Sequence, residues 1–262
     1  FLYQLCYLMM IEQIPLPKIL FLDIETVSGH ASYTELSEPF QALWSKKAAS
    51  LLRTPLSELD EEEIANTYTE RAGIFAEFGK IVCISVGGIG TEGGQPKMVL
   101  KSFAGADEHA LLKEFAEFVE KKYGDPRQSF FCGHNIKEFD IPYICRRLMI
   151  NGFKLPASLD VRGKKPWETA HFLDTMELWK FGEYKSFTSL RLLTALFGIP
   201  SPKDDIDGSE VGRVYWEENG INRIVRYCEK DVVATAQVFL SYRRETHLTD
   251  EQVESKTEGL NT

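Results

Sequence analysis

The run Ile19-Leu20-Phe21-Leu22, with the acidic pair that follows it in Asp23-Ile24-Glu25, constrains this chain more than any other stretch. A short apolar run reads as a buried β-strand. Side chains two apart on a strand lie on the same face, so Asp23 and Glu25 project together from the end of that strand. Adjacent carboxylates repel one another, and burial already disfavours their charge. A divalent cation held between them offsets both effects, and hard cations take oxygen ligands. The pair therefore predicts a cation site whose remaining ligands come from elsewhere in the chain.

The rest of the sequence supplies a frame for that strand. The charged stretch 29–78 is too long for a hairpin loop. It is read as a helical insertion, with helices over Glu38–Leu52 and Ser57–Arg71 and an N-cap region at Ser57. Lys80–Gly88 and Lys97–Phe103 read as strands joined by a turn over 87–94. Asp107–Lys122 carries apolar residues at helical spacing. Ser129–Cys132 is a predicted short strand, Gly133-His134-Asn135 a loop, and Phe139–Ile150 a helix. Residues 151–171 are irregular, and Phe172-Leu173-Asp174 is a strand or turn. Helices follow over Thr188–Phe197, Glu210–Glu217 and Ile221–Arg243. Strands interleaved with helices predict a mixed α/β sheet.

The 262 residues suffice for one substantial core. Residues 1–17 are read as an N-terminal extension, 18–244 as a single domain, and 245–262 as a frayed polar tail. The chain does not begin with Met, whereas Met9 and Met10 directly precede the first strand region, so residues 1–8 are expected to come from an upstream extension. The net charge of −9 argues against a broadly basic nucleic-acid binder. Bound cations can still offset a local acidic excess. Five cysteines, an odd number without a CxxC pair, predict a reducing compartment rather than a disulfide frame or zinc site. With no membrane-spanning candidate, a cytoplasmic protein with no membrane partner is expected.

Two distant segments supply the missing ligands. One is Gly133-His134-Asn135, followed by Phe139-Asp140 at a helix start; the other is Tyr227-Cys228-Glu229-Lys230-Asp231. A four-residue separation puts Tyr227 and Asp231 on one helix face, one turn apart. Asp23, Glu25, Asp140 and Asp231 can thus converge, and four carboxylates suit two Mg²⁺ or Mn²⁺ ions. The segments LDIETV (22–27), GHNIKEFDIPYICRRL (133–148) and YCEKDVVAT (227–235) resemble, in order and spacing, the DEDDy 3′–5′ exonucleases of the ribonuclease H-like fold. The nearest resemblance is to stand-alone predicted exonucleases related to the exonuclease domain of family-B DNA polymerases. EFGKIVCISVGG (77–88) and SLRLLTALFGIPSPKDDIDG (189–208) resemble the same group.

The resemblance implies an α/β, ribonuclease H-like mixed sheet flanked by helices. It also implies hydrolysis of terminal phosphodiesters of single-stranded nucleic acid, releasing nucleoside 5′-monophosphates. Asp23, Glu25 and Asp231 would hold one cation, with Asp23 bridging to a second held by Asp140 through water. Tyr227 would orient the attacking water. Asn135, Phe139 and Thr26 are candidate substrate contacts. Asn135 is read as touching the strand or ordering its loop, and Phe139 as a wedge against a terminal base or as core. Asp174 is expected to support the site, and His134 to pack its loop. Lys185, Arg191, Lys203 and the run Arg162-Gly163-Lys164-Lys165 are candidate phosphate contacts, while Asp204-Asp205-Ile206-Asp207 reads as a solvated turn. DNA is favoured over RNA, and residues 29–78 are the expected surface for a partner protein. The alternatives are an exoribonuclease and a catalytically silent binding module on the same fold.

Overall fold

The computed structural model describes residues 10–184, 187–200 and 206–257. Strand β1 (Ile19–Ser28) is paired along both edges. On one side lies the antiparallel β2 (Gly79–Glu92), and beyond it β3 (Gln95–Ala104). On the other lie the parallel strands β4 (Phe130–Gly133) and β5 (Phe172–Asp174). With β6 (Val253–Ser255), parallel to β3, the order is β5-β4-β1-β2-β3-β6. Alternation along β1 assigns its two faces. Leu20, Leu22 and Ile24 join the core beneath α3 (Glu108–Tyr123) and α4 (Asp140–Ile150). Ile19 and Phe21 meet Val232, Ala236 and Phe239 of α8 (Ile221–Tyr242) on the opposite face. Asp23 and Glu25 continue that second face. The predicted mixed sheet, covered on both sides, is therefore present.

Residues 29–78 form the expected helical insertion, α1 (Glu38–Leu52) and α2 (Glu61–Arg71). It has an aromatic cluster of its own, in which Trp44 meets Tyr68 and Phe78 edge-on at 5.2 and 5.0 Å. The Trp44 indole N–H donates to the Ile64 carbonyl. Helix α2 starts at Glu61, not Ser57, because Asp60 and Glu63 form a reciprocal capping box. Ser57 lies in a separate 3-10 turn, Leu56–Glu58.

Three other expectations needed correction. The β2–β3 hairpin runs to Glu92 and Gln95, and the turn is the pair Gly93-Gly94, both at positive φ. Gly87, read as part of that turn, is a strand residue under α8, where a Cβ would lie 2.3 Å from Met98 Cε and 3.1 Å from Val232 Cγ1. Close packing, not turning, requires this glycine. Asp174 ends β5 and starts an additional short helix, α5 (Thr175–Lys180), ahead of α6 (Leu190–Leu196) and α7 (Val211–Trp216). The stretch from Glu245 does not fray up to residue 257. Gln237 bonds both the N–H and the carbonyl of Leu248, and Val253–Ser255 adds a strand to the sheet. Residues 1–9, Lys185, Lys203, Asp204 and Asp205 lie outside the described residues. Among the described residues no helix is long and apolar enough to cross a membrane.

One buried ion pair ties the α3–α4 layer to the sheet. The Glu108 carboxylate accepts from Arg147 Nε at 2.9 Å and Nη2 at 2.5 Å, and from the Ile81 N–H at 2.7 Å. Removing one partner of such a pair strands the other charge. Glu108→Ala is expected to lower stability by about 3–5 kcal/mol, read as a fall in the urea midpoint at unchanged slope.

Candidate active site

Pairing register fixes where the acidic pair points. Asp23 lies opposite Ser85 and Glu25 opposite Cys83 on β2, and a bulge follows between Glu25 and Thr26. Helix α8 crosses this face. Its Cys228 thiol donates to the Asp23 carbonyl and to Asp23 Oδ2, each at 3.4 Å. Donor atoms of Asp23, Glu25 and Cys228 lie within 4.8 Å of one another. One residue earlier on α8, the Tyr227 hydroxyl bonds the Asp231 carboxylate and feels the charges of Glu25 and Asp23. Asp140, the first residue of α4, acts on Asp23 and Glu25 through its charge, and backbone N–H groups of Ile24 and of Asp140 itself donate to its carboxylate. The five residues predicted as the chemical centre thus act on one another electrostatically.

Their mutual repulsion is visible in their acidities. Burial raises the Asp23 carboxyl well above the ordinary range, Asp140 and Asp231 raise it further, and the Cys228 thiol opposes them. Glu25 is raised by burial and then by Asp23 and Asp231. Burial pushes Asp140 up to about 7 against its two N–H donors. The Tyr227 hydroxyl is raised by burial and by Asp231, so it stays protonated across the neutral range. The donor set is dominated by carboxylate oxygens that repel one another, which is the chemistry a hard divalent cation fits.

The loop after β4 is held by Asp174. This buried carboxylate accepts from the N–H groups of Asn135 (3.0 Å), Lys137 (3.2 Å), Met176 (3.0 Å) and Glu177 (3.3 Å). It therefore caps α5 and shapes the Asn135 loop at once, and Asn135 takes the left-handed conformation at φ 65°. Burial lowers the basicity of His134. Its neutral ring donates from Nε2 to the Thr188 carbonyl (3.0 Å), leaving Nδ1 within bonding distance of the Thr175 hydroxyl (2.9 Å). His134 is a loop-packing residue, as the sequence predicts.

Other predicted contacts fall differently. Thr26 follows the bulge and bonds the Tyr143 hydroxyl of α4 instead of facing the carboxylates. Phe139 is half-buried, its ring tilted against Tyr143 at 5.5 Å. Arg162 pairs with Asp160 at 2.7 Å, and the Lys165 ammonium lies over Trp167. That basic run precedes β5 in the chain, whereas Asp174 is the last residue of β5. Arg191 faces Asp207.

Sequence reasoning missed two sets of residues. The thiols of Cys228, which donates to Asp23, and Cys83, which lies opposite Glu25, are hydrogen-bonded to each other. Their signal was only adjacency, to Tyr227 in the chain and to Glu25 across the strands. The second set centres on Glu229, buried midway between Tyr227 and Asp231. Its Oε1 accepts from the hydroxyls of Ser102 (2.9 Å), Ser255 (2.9 Å) and Thr257 (2.5 Å). Ser102 in turn meets the Ser85 hydroxyl at 2.8 Å, directly across from Asp23. The carboxyl-terminal strand is thereby tied to the helix that carries Tyr227 and Asp231.

A family model described as a predicted 3′–5′ exonuclease related to the exonuclease domain of PolB matches residues 74–262. The matched region contains Asp140, Tyr227 and Asp231; Asp23 and Glu25 precede it and join them through the pairing of β1. The family B DNA polymerase from the hyperthermophilic archaeon Pyrobaculum calidifontis is similar in fold, with a TM-score of 0.52 at 16% identity. The similarity covers 87% of this chain and 24% of the polymerase chain. The mixed six-stranded sheet is thus the ribonuclease H-like one expected of a polymerase exonuclease domain. No curated protein was found to match. With the family model covering most of its length, the chain belongs to the predicted 3′–5′ exonucleases related to the exonuclease domain of PolB.

Proposed function

We propose that the protein is a divalent-cation-dependent 3′–5′ exonuclease that shortens single-stranded DNA and releases nucleoside 5′-monophosphates. The observation that carries this reading is the buried acidic cluster in which Asp140 and Asp231 act on the charges of Asp23 and Glu25 and the Tyr227 hydroxyl bonds Asp231. Asp23, Glu25, Asp140 and Asp231 would hold two Mg²⁺ or Mn²⁺ ions, which supply Lewis acidity and lower the pKa of water. Tyr227 keeps its proton because burial and Asp231 raise its pKa. It therefore works as a hydrogen-bonding guide, not as a base, and its bond to Asp231 fixes the direction of its lone pairs. In the reaction, water adds to the terminal phosphorus and the bond to the neighbouring 3′ oxygen breaks. That oxygen takes up a proton, leaving a shortened strand with a 3′ hydroxyl. Asn135 and Phe139, in the loop that leads into Asp140, are the proposed contacts to the last nucleotide. DNA is the favoured polymer because the similar fold comes from a DNA polymerase.

End-labelled single-stranded DNA incubated with Mn²⁺ or Mg²⁺ is expected to lose nucleotides stepwise from its 3′ end. Asp23→Ala and Asp231→Ala should slow this by about 10²–10³-fold or more. Tyr227→Phe, which misplaces a group without removing charge, should cost on the order of 10–100-fold. Retention of full activity in Asp23→Ala would sink the assignment. A matched RNA strand run in parallel separates the exoribonuclease alternative, since contact with the 2′-OH distinguishes the polymers.

Stability should report the same repulsion. Without metal, the folded protein holds a proton on Asp140 up to about pH 7, whereas the unfolded chain releases it near 3.8. The folded state then binds more protons in this window, so stability falls as pH rises through it. The metal-free melting temperature is expected to drop between pH 5 and 8, and Asp140→Asn should flatten that slope. At pH 8, Mn²⁺ at about 100 times its dissociation constant adds about 2.7 kcal/mol. In a chain of this size that is a rise of about 5–10 °C, absent from Asp23→Ala by scanning calorimetry.

A further inference from the structure

We propose that the rings of Phe181, Tyr184 and Phe187, between α5 and α6, are stacking contacts for unpaired bases of the strand whose 3′ end enters the acidic site. The proposal rests on the nuclease reading above and adds to it how the strand is held.

Phe181, Tyr184 and Phe187 are 91%, 93% and 70% exposed, the most exposed large apolar side chains among the described residues. Three exposed rings within seven positions mark a binding surface rather than scattered surface residues. Phe181 also takes the left-handed conformation at φ 46°, which L residues other than Gly and Asn rarely adopt. The rings stand on a packed base. Trp179 stacks on Tyr242 with planes 14° apart, Phe197 meets both edge-on, and the Tyr242 hydroxyl donates to the Thr175 carbonyl.

Position links these rings to the carboxylates. The parallel strands β1, β4 and β5 end on one side of the sheet, where Asp23 and Glu25 lie. The Asp174 carboxylate that starts α5 also holds the Asn135 N–H. Thr188, next to Phe187, accepts from His134. The helix that precedes these rings and the residue that follows Phe187 are therefore both bonded to the loop that leads into Phe139 and Asp140.

Charge selects the occupant. Single-strand binders usually draw much of their affinity from basic grooves and counterion release. This chain has a net charge of −9, and in the basic run Arg162–Lys165 the Arg162 guanidinium is paired with Asp160. Stacking supplies an alternative that is indifferent to sequence, as removal of any terminal nucleotide requires. The Lys180 ammonium, 4.5 Å from the centre of the Phe187 ring, places a cation beside that ring for a backbone phosphate.

The test measures anisotropy of a 5′-fluorescein 12-nucleotide thymidine strand titrated with the full chain in EDTA, where no hydrolysis interferes. The triple variant Phe181→Ala, Tyr184→Ala, Phe187→Ala is expected to bind about ten-fold or more weakly, and Tyr184→Phe to bind like wild type. A 12-unit abasic strand should bind wild type as poorly as thymidine binds the triple variant. The slope of log affinity against log salt should be shallow, about −2 or less steep. With Mn²⁺, the ratio of strand hydrolysis to hydrolysis of thymidine 5′-monophosphate p-nitrophenyl ester should fall in the triple variant, through KM. Unchanged affinity in a triple variant that melts like wild type overturns the stacking contacts. So does equal binding of abasic and thymidine strands, or a slope of about −5 or steeper. Failure of wild type to hydrolyse either ester or strand defeats the nuclease reading instead, so the two failures are distinguishable.

Discussion

Repulsion among four carboxylates gathered at the end of a central strand is the interaction around which the rest of this structure is arranged. Burial raises the carboxyls of Asp23, Glu25 and Asp140, and the charge of Asp231 raises Asp23 and Glu25 further. Left alone, such a group would push its supporting elements apart. The fold resists by pairing β1 on both edges and clamping it between helices. Donors are supplied where an anion needs them: two backbone N–H groups for Asp140, a thiol for Asp23 and a phenol for Asp231. These donors moderate the cost without cancelling it. The strain that remains is what a cation held among them would relieve.

The centre of the fold was legible because it follows simple parity. Asp23 and Glu25 share a strand face, Tyr227 and Asp231 share a helix face, and the apolar residues around them name the buried sides. No comparable rule reveals that Glu229 is buried. A glutamate on a helix ordinarily reads as solvated, and the hydroxyls that satisfy this one come from positions 127, 26 and 28 residues away. Gly87 was misread for a related reason. Sequence records that a glycine is needed, not whether a turn or an approaching helix needs it. The tail was misread because three strand residues carry too little pattern to separate a strand from a coil. The capping box that starts α2, by contrast, is written in Asp60 and Glu63 and could have been found.

Asp174 illustrates how one side chain can serve two elements. By accepting from four N–H groups it makes the start of α5 and the Asn135 loop a single unit. The loop that leads into Phe139 and Asp140 therefore does not move independently of the helix behind it. Trp179, near the end of α5, is in turn held against Tyr242 of α8.

The Glu229 junction carries a further consequence. The same turn of α8 faces the acidic centre with Tyr227 and Asp231 and grips β6 with Glu229. Any ligand that steadies this turn must also steady the last strand, and anything that peels the strand away must loosen the turn, by the same free energy in each direction. Protection of the Val253–Ser255 amides from solvent exchange is therefore a remote gauge of occupancy at the acidic centre. The edge of the sheet farthest from the β5 side reports on its middle.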